Sequence, residues 1–123
     1  MQDGKNVILC IDDDPDILEY LDAVLTAAGY VVATAPSAEE GLKVYKEVSP
    51  ELMIVDLMME EIDAGTTFVK ELRIIGNTAP IFMLSSMGDN LAETTDCSAL
   101  GLSGVFQKPV DKEKMLTAIA AKL

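Results

Sequence analysis

Five short apolar runs punctuate the chain: Val7–Ile11, Val31–Ala33, Leu52–Val55, Ile81–Leu84 and Val105–Phe106. Each is too short for a helix, and their Val and Ile content suits strands buried on both faces. Between them the apolar residues change to helical spacing. Ile17, Leu18, Leu21, Val24, Leu25 and Ala28 mark one stripe, stopped by Gly29. Ser37, with Glu40 three residues on, opens a second helix with the stripe Ala38, Leu42, Tyr45 and Val48, closed by Pro50. A third uses Phe68, Val69, Leu72 and Ile75 and ends at Gly76. A fourth, Asn90 to Leu100, is diluted by Thr94, Thr95 and Asp96 and ends at Gly101. The last starts at Asp111 and repeats Met115, Leu116, Ile119 and Leu123. Strands separated by helices require right-handed crossovers and hence a parallel sheet covered on both sides. The expectation is an α/β domain over residues 1–123: a doubly wound five-stranded parallel sheet, order 2-1-3-4-5, with five helices.

Such sheets bind ligands at the carboxyl ends of their strands, where the strand order reverses. Asp12-Asp13-Asp14-Pro15 follow the first strand, and Asp56 follows Met53-Ile54-Val55 on the third. Ser85-Ser86 follow the fourth, and Lys108-Pro109 the fifth. Two carboxylates about 4 Å apart repel by roughly 4 kcal/mol at an effective dielectric near 20. Gathering Asp12, Asp13 and Asp56 therefore asks for a cation. A few protein oxygens completed by water suit Mg2+ better than Ca2+. Beside such an ion, an Asp56 oxygen is placed to attack a phosphoryl group, since aspartyl phosphate is a known kind of covalent intermediate. Lys108 would offset charge on the phosphoryl oxygens and Ser85 would donate a hydrogen bond to one of them. A carboxylate needs no general base.

Composition removes the competing chemistries. The 123 residues include no histidine, which excludes Ser-His-Asp and Cys-His catalysis, imidazole zinc sites and a phosphohistidine on this chain. A net charge of −12 repels DNA, RNA and anionic lipid, so neither nucleic acid nor a membrane is expected as a direct partner. Cys10 and Cys97 stand in no metal or redox spacing and read as reduced core residues. With no signal-like N-terminus and no apolar stretch of spanning length, the expected location is the cytoplasm. Asp14 before Pro15 reads as a helix N-cap rather than a ligand. Met53 and Met83 read as core, and Met58, Met59 and Met87 as loop residues filling gaps. An EF-hand loop starting at Asp12 would need Gly where Ile17 stands and Glu where Ala23 stands. A haloacid-dehalogenase-type motif would need Thr or Val in place of Asp16.

Taken together, Ile11-Asp12-Asp13-Asp14-Pro15, Ile54-Val55-Asp56-Leu57-Met58-Met59, Leu84-Ser85-Ser86 and Gln107-Lys108-Pro109 resemble a bacterial two-component response-regulator receiver domain. The resemblance covers the whole chain and implies a flavodoxin-like, CheY-like fold. It implies that Asp56 is the phosphorylated residue, that Asp13 binds Mg2+ directly, and that Asp12 binds it through water. It assigns the Met58 backbone carbonyl as a further ligand, Ser85 as the hydroxyl that moves on switching, and Lys108 as the cation of the site. The implied partners are a histidine kinase or histidine phosphotransfer protein and a downstream protein or output domain. The chain is then a signalling module, self-phosphorylating with at most slow autodephosphorylation, rather than an enzyme. The alternative is a receiver-like interaction module that works without phosphorylation.

Four departures from the family pattern bear on this. Glu60 replaces the usual Pro, Ala64 the usual Gly, and Ser86 a common Ala. Val105 stands where many receivers place a Tyr or Phe that turns inward on switching. Phe106 is aromatic but adjacent, and neighbouring side chains on a strand face opposite ways. The expectation is a receiver without the aromatic part of the switch.

Overall fold

The computed structural model describes residues 4–56, 70–85, 104–107 and 111–123, with the backbone alone described at Ser85, Val105 and Gln107. The strands are β1 (Val7–Ile11), β2 (Val31–Ala35), β3 (Leu52–Asp56), β4 (Ile81–Ser85) and β5 (Gly104–Gln107). They form one sheet in the order β2-β1-β3-β4-β5, with every adjacent pair parallel. Helix α1 covers Pro15–Ala27 and α2 covers Ala38–Val48. Helical turns at 70–74 precede β4, and a C-terminal helix covers Lys112–Lys122. Among the described residues, no helix is long and apolar enough to cross a membrane.

Strand alternation divides the core into two layers. Leu9, Ile11, Met53, Val55, Ile81 and Met83 face one side, where Leu42 and Tyr45 of α2 and Leu72 pack on them. Ile8, Cys10, Leu52, Ile54, Phe82 and Leu84 face the other, under Leu21, Val24 and Leu25 of α1 and Met115 and Ile119 of the C-terminal helix. The central strands are apolar on both faces because both faces are covered. Asp14 and Ser37 cap their helices as expected, and Asp111, the expected first residue of the last helix, is its N-cap. Asp14 accepts from the Asp16 N–H, Ser37 from the Glu40 N–H and Asp111 from the Lys114 N–H. Gly29, at φ 98°, turns the chain out of α1 in a conformation that an L side chain resists.

Several boundaries differ from the sequence expectation. β2 runs two residues further, to Ala35, and is only partly buried, because it is an edge strand. Ile75 is 48% exposed: the helical turns stop at 74 and Gly76 turns the chain at φ 87°, so the stripe lapses after Leu72. Ala28 and Leu123 are likewise exposed, each being the C-cap of its helix. The expected helix Asn90–Leu100, Cys97, Phe68 and Val69 lie outside the described residues, as do Met58, Met59 and Met87. Met53 and Met83 are fully buried, as core residues should be.

The starts of β1 and β3 are tied together. Val7 N–H donates to Glu51 Oε2 at 2.6 Å, and Glu51 N–H donates to Val7 O at 2.8 Å. Partial burial pushes the Glu51 carboxyl up, but hydrogen bonds, that from Val7 among them, outweigh it and hold the group below its ordinary 4.5. A depressed folded value means stability that is present above the unfolded value and is lost as pH falls through the folded one. Glu51→Gln should therefore cost about 1 kcal/mol near pH 6, a modest figure because the group is partly solvated. In urea unfolding, its gap from wild type should close as the pH drops below 4.5. A gap unchanged at acid pH would locate the effect in shape, not charge.

Candidate functional site

The strand register brings the acidic residues to one end of the sheet. Ile11 pairs with Val55, so Asp12 and Asp56 stand one step further along neighbouring strands. Asp56 in turn pairs with Leu84, which places the Ser85 backbone one step beyond on β4. Ser85 pairs with Gln107, the residue before Lys108. The site lies where the chain order reverses, with β2 on one side of β1 and β3 on the other.

Three carboxylates meet there. Asp12, Asp13 and Asp56 each offer an oxygen, and these oxygens all lie within 4.8 Å of one another. Asp12 is wholly buried and Asp56 is 3% exposed, whereas Asp13 is exposed. Asp12 is held from two directions. Its N–H donates to Ala35 O at 3.2 Å, and its Oδ1 accepts the Asp14 N–H at 2.9 Å. The second bond is an Asx turn, with the carboxylate fixed by the backbone two residues on. Asp14 thus has two local duties, its amide steadying Asp12 and its side chain capping α1. Sequence reasoning found the cap and missed the amide; the Asp-x-Asp spacing was the available sign.

Hard oxygen donors, buried on one side and open on the other, form the donor set of a hard divalent cation. The residues present fit such an ion. Cys10, beneath Asp12 on β1, is no competing ligand or nucleophile. Burial raises its thiol far above the ordinary value, and the negative charges of Asp22 and Asp12 add to that, so the sulfur stays protonated. Cys10 is also a free thiol, as expected.

Of the other expected site residues, Lys108 and Met58 lie outside the described residues, as do Glu60, Ala64 and Ser86. Ser85 is placed by its backbone alone. Phe106 packs into the layer under α1 and the C-terminal helix, where its ring stacks on Phe82 with centroids 4.9 Å apart and planes at 19°. Its register partner Leu84 on β4 faces the same layer.

The sequence model of the response regulator receiver domain matches residues 8–120. The chain belongs to that family. Over 112 residues, receiver residues here are 35% identical to the transcriptional regulatory protein GlrR of Escherichia coli K12, covering 91% of this chain and 25% of GlrR. They are 34% identical to the DNA-binding transcriptional regulator RpaA of Synechocystis, covering 94% of this chain and 48% of RpaA. The chain thus spans a quarter to a half of these relatives' length. Among solved structures, the chemotaxis response regulator CheY4 of Vibrio cholerae superposes with a TM-score of 0.85 at 27% identity, covering 98% of this chain and all of CheY4. The receiver has the α/β fold with a parallel sheet that the sequence led one to expect, in the expected strand order.

Proposed function

We propose that this receiver is the phosphoacceptor of a two-component pathway, with Asp56 as the residue modified. The observation that carries this reading is the placement of Asp56. It is a buried carboxylate at the end of β3, with its oxygen gathered beside those of Asp12 and Asp13. The donor is the phosphohistidine of a histidine kinase or phosphotransfer protein. An Asp56 oxygen forms the new bond to phosphorus as the donor's phosphorus–nitrogen bond breaks, and the electron pair leaves on the imidazole nitrogen. A carboxylate nucleophile needs no general base to remove a proton.

Asp13 and Asp56 would hold Mg2+ directly, Asp12 would hold it through water, and the Met58 carbonyl would complete the protein's share. When bound, Mg2+ supplies positive charge against the phosphoryl oxygens. Ser85 donates a hydrogen bond to one of those oxygens, and Lys108 offsets the charge on another. Asp14 N–H keeps Asp12 Oδ1 turned to its task. Modification then shifts the domain between two populations that an output domain or separate protein reads, at the face around β5 and the C-terminal helix. With Val105 in place of an aromatic residue, and Phe106 stacked on Phe82, switching here proceeds without an inward aromatic swing. The domain works as a signalling module and not as an enzyme with turnover on a separate substrate.

The test is incubation with acetyl phosphate and Mg2+, followed by intact-mass measurement. One phosphoryl group should be added, and none when the metal is chelated. No gain in mass, or a gain that survives Asp56→Asn, overturns the reading and favours an interaction module independent of phosphorylation.

A further inference from the structure

Gly41 lies inside α2, where glycine is about 1 kcal/mol less favourable than alanine. That cost directs attention to what a side chain at this position would meet. A Cβ at position 41 would stand 2.5 Å from Ile11 Cδ1, closer than such atoms sit, and 3.0 Å from Ile11 Cγ1, tighter than ordinary contact. Nor can Ile11 easily give way. It is wholly buried, with Ala35 and Val55 as its register partners on either side, all within one packed layer.

Ile11 is also the residue immediately before Asp12. The next link in the chain is the Asp12 N–H bonded to Ala35 O, and Ala35 is the β2 partner of Ile11. A side chain at 41 would therefore press on the last residue of β1 at the point where the backbone delivers the buried carboxylate. We propose that Gly41 is a positioning residue for the acidic cluster, its missing side chain letting α2 seat on Ile11 and so fixing where Asp12 stands. The effect on phosphotransfer rests on the phosphoacceptor reading; the seating of Asp12 does not.

The pair is size-complementary, and that makes it testable by rescue. Ile11→Val removes Cδ1, the atom that a Cβ at 41 would strike first. Three variants, Gly41→Ala, Ile11→Val and the double substitution, are compared by Mg2+ calorimetry and by hydrogen exchange at the Asp12 amide, with global stability measured separately. Gly41→Ala should weaken Mg2+ binding about fivefold and speed Asp12 exchange about tenfold beyond the change in global stability, and Ile11→Val in the same chain should bring both within about twofold of wild type. If Gly41→Ala changes only global stability, or the double variant is not rescued, the proposal fails. Should Gly41→Ala alone not fold, the double variant decides: wild-type exchange at Asp12 supports the seating, and faster exchange overturns it. If wild type takes up no Mg2+, the phosphoacceptor reading falls, while the exchange comparison still judges Gly41.

Discussion

Asp56→Asn should yield a protein that takes no phosphoryl group and yet unfolds later than wild type when metal is absent. Both effects come from removing one charge. The acceptor oxygen is replaced by an amide, which cannot form the phosphoryl bond. At the same time, the buried Asp56 no longer faces the buried Asp12 across a gap of at most 4.8 Å. Two unit charges at such a distance repel by roughly 3–4 kcal/mol at an effective dielectric near 20. Part of that is offset by polar contacts tuned to a carboxylate, so a net gain of about 1–2 kcal/mol is expected in urea unfolding with chelator present. Asparagine retains the shape of aspartate, so no cavity confuses the result. A variant less stable than wild type without metal would mean that the carboxylates are not in conflict. The argument for a bridging cation would then lose its basis.

Mg2+ should stabilise the wild-type domain and should do so much less after Asp13→Asn. A ligand that binds only the folded state adds about 2.7 kcal/mol when present at a hundred times its dissociation constant. Asp13 is the informative position because it is exposed, so its replacement leaves the packed layers of Asp12 and Asp56 untouched. Its loss removes one of three gathered oxygens and should right-shift the Mg2+ titration by an order of magnitude or more. Thermal unfolding across a range of Mg2+ concentrations, with the ionic strength held constant, separates binding from general screening. Equal responses in wild type and Asp13→Asn would remove Asp13 from the ligand set. The same experiment with chelated samples gives the baseline for Asp56→Asn, so the two predictions check each other.

Much of this architecture is legible in the sequence. Among the described residues, the change of apolar period from strand to helix and back gives the observed element order, and Asp14 and Ser37 cap where their residue types proposed. Patterns failed where a neighbour, rather than the local run, decides burial. β2 is only partly buried because, among the described residues, no strand pairs with its outer edge, and Ile75 is exposed because the helix has already ended. The site was legible to the same depth. Strand-end chemistry identified Asp12, Asp13 and Asp56 as a group, but nothing in their spacing distinguished the two buried carboxylates from the exposed one.

What the sequence by itself determined is therefore the kind of chain this is: which described segments are strands and which are helices, and which carboxylates stand at the strand ends. These follow from interactions between residues a few positions apart, whose periodicity is written along the chain. Only the tertiary structure decided that three of those oxygens come within 4.8 Å of one another, and that Asp14 lends its amide to Asp12. The same is true of the fit that leaves no room beside Ile11 for a side chain on Gly41. Those are relations between segments brought together by packing, and close-packed surfaces fix distances that no local pattern contains.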